Sequence, residues 1–275
     1  MVVNERLRAS IDVAPRTAAF YAKVLDALTE ADVEFLLGGA FAYEVYTDIG
    51  GRTKDLDLFL HPDDAQRALK AMADRGFEVH MVARHWLAKI TRGSDFVDVI
   101  FGSGNGLAVV DDGWFEHARP AEVLEREVRL IPIEEMLWSK SFIMERERYD
   151  GADIAHLIRV AGRTMDWRRL MDRFDRFWPV LLAHLILYDF SYPSERARVP
   201  AWVRSELMDR ARREEPSQQE LDEQVCYGTV LSRAQFLPDV EGWGYRDGRV
   251  EPFGLLTDAD VIAETERMRR EMGTH

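Results

Sequence analysis

A single cysteine, Cys226, in 275 residues leaves no internal disulfide framework and no multi-thiolate metal site within one chain. That scarcity fits a reducing compartment, and the cytoplasm is the expected location. Membrane-length apolar runs are also missing. The most apolar stretch, 177–190, is interrupted by Pro179, His184 and Asp189 and falls short of the ~18 residues a span needs, so it reads as a buried helix. Residues 1–10 mix charges without an apolar centre, so no secretory leader is expected there. Positive charge is in short supply: 36 Lys and Arg against 49 Asp and Glu give a net charge of −13. This is the wrong sign for a broad nucleic-acid footprint and favours a small or protein partner. The seven histidines lack HExxH-like spacing, which leaves a zinc hydrolase without support and His61, His80 and His85 as surface or packing residues. Neither an internal repeat nor a low-complexity tract occurs.

What is present is apolar periodicity, and 47% hydrophobic content is enough to fill a core. Pro15 followed by Phe20, Val24 and Leu28 predicts an amphipathic helix to about Glu30. A short strand, Val33 to Leu37, runs into Gly38-Gly39 and a second apolar, helical stretch. After the turn at 48–51 comes a strand from Leu56 to Leu60. A helix then carries Ala65, Ala68, Leu69 and Met72 on one face and closes at Gly76. Strands are expected at 77–82, 86–91 and 96–101. The order implies an α/β (α+β) fold, with a mixed β-sheet and flanking helices in residues 1–130. From Ile133 onward the pattern turns helical: 133–148, 152–161, and a long helix from Trp167 that Pro179 should kink or split. A charged exposed helix with its loops fills 198–224, and a tail rich in Gly and aromatics follows.

The chemistry-bearing pattern lies in the strands. Side chains alternate along a strand, so Asp55 and Asp57 project to one side and Leu56 and Leu58 to the other. Two carboxylates so placed can share a divalent cation, although an exposed edge strand would show the same pair. Asp98 is the lone acid of the apolar run Phe96 to Ile100, where a buried charge needs compensation. Gly38-Gly39, between a strand and a helix, is a place where backbone N–H groups can approach a phosphate, or merely a turn.

Together Leu36-Leu37-Gly38-Gly39-Ala40, Arg52-Thr53-Lys54-Asp55-Leu56-Asp57-Leu58 and the later Asp98 resemble the signature of the DNA polymerase β-like nucleotidyltransferase superfamily. The resemblance implies that Gly38 and Gly39 hold a triphosphate, that Asp55 and Asp57 bind two Mg²⁺ ions (Mn²⁺ as a substitute), and that Asp98 joins the metal-binding carboxylates and helps activate an acceptor hydroxyl. All-oxygen ligands suit magnesium, and clustered carboxylates suit two-metal chemistry. Ala40 departs from the Gly-Ser found in many members and removes one hydroxyl contact to the phosphates. Arg52, with Lys54, stands beside the metal strand and is placed to meet the triphosphate, where an exposed basic residue would otherwise simply be solvated.

The longer gap between the glycine pair and the aspartates, with Arg52-Thr53 before them, is similar to the abortive-infection AbiE-type toxin branch, which makes a toxin–antitoxin role a candidate. In that branch a helical lysine followed by an aspartate contacts the nucleotide, and Lys140 with Asp153 resembles that pair. Lys140 falls in the inward stripe of Ile133, Met136, Leu137 and Met144, from whose edge a lysine can also snorkel to solvent. Asp150 and Asp153 equally fit an N-cap and an acidic first turn. Tail residues such as Ser232 and Arg233 either fold over a cleft or pack on the core.

The expected protein is thus a nucleotidyltransferase domain over 1–130 and a mainly helical domain over 131–275. It would transfer an NMP group from an NTP such as ATP to a hydroxyl, releasing pyrophosphate. A small-molecule acceptor is favoured over a tRNA or protein, and no membrane is involved. The alternative is an inactive nucleotidyltransferase-fold module that binds or regulates.

Overall fold

A computed structural model describes residues 7–8, 13–50 and 55–272. The elements in order are β1 (Leu7–Arg8), α1 (Pro15–Glu30), β2 (Leu36–Leu37), α2 (Gly39–Thr47), β3 (Asp55–Phe59), α3 (Pro62–Asp74), β4 (Glu78–Ala83), β5 (Leu87–Arg92), β6 (Asp95–Ile100), α4 (Asp112–Glu116), β7 (Arg119–Val123) and β8 (Arg126–Leu130). There follow α5 (Ile133–Ser141), α6 (Gly151–Ala161), α7 (Trp167–Phe174), α8 (Trp178–Ser191), α9 (Ala201–Arg213), α10 (Gln218–Asp222), β9 (Val225–Cys226), α11 (Leu237–Glu241), β10 (Arg246–Asp247) and α12 (Asp258–Met272). The chain divides into two compact units, one of residues 1–103 and 109–132, the other of 104–108 and 133–275.

The first unit is built on a mixed eight-stranded sheet of order β1-β7-β8-β2-β3-β6-β5-β4. Its centre is β3, antiparallel to β2 and parallel to β6 in the register Asp55↔Phe96, Asp57↔Asp98 and Phe59↔Ile100. The alternate residues Leu56, Leu58, Val97 and Val99 are all fully buried. Each such burial is worth about 1.5–3 kcal/mol and fixes which face the aspartates must take, because a one-residue slip would bury them instead. Helix α1 starts with Pro15 at its first turn and buries Phe20, Tyr21, Val24, Leu25 and Leu28, as its spacing predicts. Helix α3 buries Ala65, Ala68, Leu69 and Met72, and Gly76, at φ +82°, follows it.

Two strands, β7 and β8, form a hairpin that the sequence reading passed over. Their charged outward residues, as in Arg126-Glu127-Val128-Arg129-Leu130, mask a period-2 pattern in which only Val128 and Leu130 are buried. The strand expected at 33–37 is reduced to Leu36–Leu37.

In the second unit the helix expected over 133–148 ends at Ser141. Beyond Met144 the run Glu145-Arg146-Glu147-Arg148 offers no apolar side chain to continue the stripe. The chain instead doubles back through the bridge between Met144 and Tyr149. The long helix from Trp167 is split: α7 ends at Phe174, followed by Asp175 at φ +41°, a single 3₁₀ turn covers 175–177, and Pro179 enters the first turn of α8, where its missing N–H costs nothing. Arg169 and Arg173 of α7 pair with the buried Glu134 and Glu135 of α5. The tail packs within its own unit, with Ser232 Oγ donating to Glu145 Oε2 at 2.6 Å and Arg233 bridging Glu145 and Glu264. Among the described residues no helix is long and apolar enough to cross a membrane.

Candidate active site

Strand β3 sets the site by alternation. Burying Leu56 and Leu58 leaves Asp55 and Asp57 on the opposite face, each partly exposed. The parallel register makes Asp98 of β6 the direct neighbour of Asp57. Strand β5, antiparallel to β6, brings Lys89 opposite Asp98. The Lys89 ammonium lies 2.8 Å from Asp98 Oδ1 and 4.0 Å from the centre of the Phe96 ring.

The glycine pair closes on the same place. Gly38 donates its N–H to the Asp57 carbonyl at 2.9 Å, tying the β2–α2 turn to β3. A Cβ on Gly38 would meet the Phe59 ring at 2.2 Å. Gly39 has φ +56°, and a Cβ there would stand 1.7 Å from Asp57 Oδ2. Bare backbone therefore runs directly along the Asp57 carboxylate, at the N-terminus of α2.

Charge crowding marks the site electrostatically. Burial raises the pKa of Asp98 above its ordinary value; the Lys89 contact lowers it and Asp55 adds to the rise, with a net upward shift. Tyr21 on α1 is fully buried, and its hydroxyl has no hydrogen-bond partner among the described residues. Its pKa is pushed well up, first by burial and then by the negative charges of Asp55, Asp95, Asp57 and Asp98.

The donor chemistry of this face fits a hard divalent cation: three carboxylates, no sulfur or imidazole, and an open backbone cradle beside Asp57. Among the described residues no three Asp, Glu, His or Cys side chains converge on one point that would hold an ion.

Gly38, Gly39, Asp55, Asp57 and Asp98 thus share one region of the first unit. Arg52, with Lys54, lies outside the described residues. Lys140 belongs to the second unit, where its ammonium binds Asp150 Oδ2 at 2.6 Å and Asp153 Oδ2 at 2.7 Å. Asp150 occupies the N-cap position of α6 but does not cap with its side chain, which instead holds Lys140 and Arg148. Burial works against its charge, yet Arg148 and Lys140 outweigh burial and hold its pKa below the usual carboxylate range. The snorkelling alternative for Lys140 does not occur, since its side chain is turned into this cluster.

Sequence reading missed Lys89 and Tyr21. Lys89 sits in Leu87-Ala88-Lys89-Ile90-Thr91, where alternation signals a polar face, but only the β5–β6 pairing reveals Asp98 as its neighbour. Tyr21 reads as one more apolar position of α1, and nothing local announces a buried hydroxyl.

Comparison with known proteins places the chain. Solved structures that resemble it include the antibiotic-resistance factor ANT(2'')-Ia in solution, at 15% identity over 62% of this chain and 96% of that one, with a TM-score of 0.45. The lincosamide antibiotic adenylyltransferase LnuA, lincomycin-bound, matches at 18% identity over 53% of this chain and 97% of its own, TM-score 0.38. A putative nucleotidyltransferase from Thermotoga maritima matches at 12% identity over 46% and 83%, TM-score 0.34. None of the curated proteins matches the sequence significantly. Residues 4–187, well over half of the chain, match the family model described as uncharacterised nucleotidyltransferase, and the chain belongs to that nucleotidyltransferase family.

Proposed function

We propose that this transferase moves a nucleoside monophosphate from an NTP to a hydroxyl acceptor and releases pyrophosphate. The observation that carries the reading is the Asp57–Asp98 register pair with the bare Gly39 backbone lying against Asp57. In this scheme Asp55, Asp57 and Asp98 hold divalent cations, magnesium by preference. When bound, such cations neutralise the triphosphate and the oxygens gained and lost in an in-line displacement. Gly39 presents backbone and the α2 N-terminus to the phosphates, and Gly38, whose N–H is held by the Asp57 carbonyl, fixes the turn that places them. Asp98, the direct neighbour of Asp57 in the strand register, receives the acceptor hydroxyl proton. Arg52 and Lys140 contribute to nucleotide binding, and residues 1–130 form the catalytic domain. A small hydroxylated acceptor suits the net charge of −13 better than tRNA.

Lys89 favours a second reading, in which its ammonium permanently neutralises Asp98 and the fold binds a nucleotide without transfer. One experiment separates the two. Melting temperature is followed with each NTP, with and without magnesium, and pyrophosphate release is measured with a panel of hydroxylated acceptors. Magnesium-dependent stabilisation by one NTP together with pyrophosphate release, both lost in Asp55→Ala plus Asp57→Ala, is the expected result. Stabilisation without release from any acceptor sides with the binding module. Full turnover surviving in the double variant sinks the assignment of these carboxylates.

A further inference from the structure

A cavity of about 320 Å³ lies in the first unit between α1 and the β5–β6 turn, lined by Arg16, Ala19, Phe20, Lys23, Arg92 and Asp95. Its composition contrasts with the chain as a whole. Three cations face one carboxylate in a protein whose net charge is −13. Arg16 and Lys23, two helical turns apart on α1, flank Ala19 and the buried Phe20, so the helix offers a cationic rim over an apolar floor.

Asp95 offsets only part of this charge. Thr17 Oγ1 donates to Asp95 Oδ1 at 2.8 Å, which fixes the carboxylate, and the Arg16 Nε stands 3.7 Å from Asp95 Oδ2. Gly93, at φ +67°, brings the β5–β6 turn close, since a Cβ there would stand 3.4 Å from the Arg16 guanidinium. Among the described residues Lys23 and Arg92 have no acidic partner. Beyond the cavity α1 carries Asp26 and Glu30, which pair with Arg126 and Arg75, and no further Lys or Arg, so the helix itself does not extend the cationic rim.

We propose that this cavity is an anion site, separate from the aspartate face, that takes the phosphate of a small phosphate monoester. Two guanidinium forks match phosphate oxygens in pairs, and Lys23 adds a point charge. The volume sits at the low end of small-molecule pockets, roughly 300–1,000 Å³, enough for the phosphate and a small organic body resting on Ala19 and Phe20. A confined cluster of three cations suits one phosphate, whereas nucleic acid needs a continuous stripe.

The test is isothermal titration without magnesium, using inorganic phosphate, glucose 6-phosphate and glucose as probes. Saturable binding of glucose 6-phosphate, weaker binding of phosphate and none of glucose are expected for the unmodified chain. The same binding is expected for Asp55→Ala plus Asp57→Ala, so the result stands or falls apart from the transfer reading. Arg16→Gln plus Arg92→Gln should weaken glucose 6-phosphate binding by at least about tenfold, the loss expected from removing two charge-assisted contacts. The exposed Lys23→Gln gives an independent, smaller loss if the double variant folds poorly. Absence of saturable binding to the unmodified chain, equal binding by the variants, or tighter binding of single-stranded RNA than of glucose 6-phosphate would overturn the proposal.

Discussion

Asp98 in the first unit and Asp150 in the second are both sheltered carboxylates, 16% and 8% exposed, and both touch a lysine, yet their proton affinities move in opposite directions. Asp98 meets one ammonium and feels Asp55 nearby; Asp150 meets Lys140 and Arg148 together. The comparison teaches that burial alone does not decide a carboxylate's state. The sign follows from whether the neighbours outnumber the charge. The second unit closes its buried acids, with Glu134 and Glu135 against Arg169 and Arg173 and Asp247 against Arg249. The aspartate face of the first unit concentrates charge of one sign, the expected condition of a site that awaits a cationic or phosphate-bound partner.

The comparison breaks hardest at the aspartate face. Asp55→Ala plus Asp57→Ala should reduce pyrophosphate release on the order of 1000-fold without lowering the melting temperature, since neither residue is part of the buried core. Next in size is Glu135→Ala, which takes a fully buried carboxylate away from both Arg169 and Arg173, while Arg169 keeps its pair with Glu134. It should cost about 3–5 kcal/mol in urea unfolding, the usual penalty for removing one partner of a buried pair.

Paired substitutions sharpen the contrast. In metal-free protein at neutral pH, Asp98→Asn should raise the melting temperature, because the folded state holds that charge at a cost. Asp150→Asn should lower it. The pH dependence follows the same signs. The depressed pKa of Asp150 contributes stability that is complete above the unfolded value of 3.8 and is lost as pH falls through the lower folded value. Melting curves of Asp150→Asn should lack that acid-side loss. Equal shifts of both variants in one direction would refute the neighbour-count argument.

The smallest effect belongs to His184, buried on α8 with Nε2 2.9 Å from the Ser141 carbonyl. Burial lowers its pKa despite that hydrogen bond. Below the unfolded value of 6.5 the unfolded chain takes up a proton more readily than the folded one, so stability declines as pH drops from 7 to 5. His184→Gln should flatten that decline.

How much of this was legible in the sequence depends on the range of the forces involved. Helices α1, α3 and α6 announced themselves because their apolar periodicity is local. The spacing of Asp55, Asp57 and Asp98 followed from strand alternation, which is also local. Lys89 beside Asp98, and Tyr21 within reach of four aspartate charges, depend on strand order and helix packing, which no window of sequence contains. The β7–β8 hairpin stayed hidden because its charged face outweighed Val128 and Leu130. Lys140 stands out as an oddity in an apolar stripe, and the resemblance names Asp153 with it, but a helix start is the nearest local reading of Asp150 and Asp153 and hides their contact with the lysine.

Gly39 and Gly76 share a left-handed backbone but differ in what surrounds them: nothing lies within 4 Å of a Cβ at Gly76, whereas Gly39 faces the Asp57 carboxylate. Their tolerance to change should therefore part company. Asparagine, which visits φ > 0 at modest cost, is an admissible replacement at 76, while at 39 every L-residue collides with Asp57 even when its backbone complies. A saturation library would record position 76 as a site of graded preference and position 39 as closed. Position 39 could open only alongside a change at 57, whereas Asp57 can change with the glycine kept, so the order in which the two can be lost is fixed.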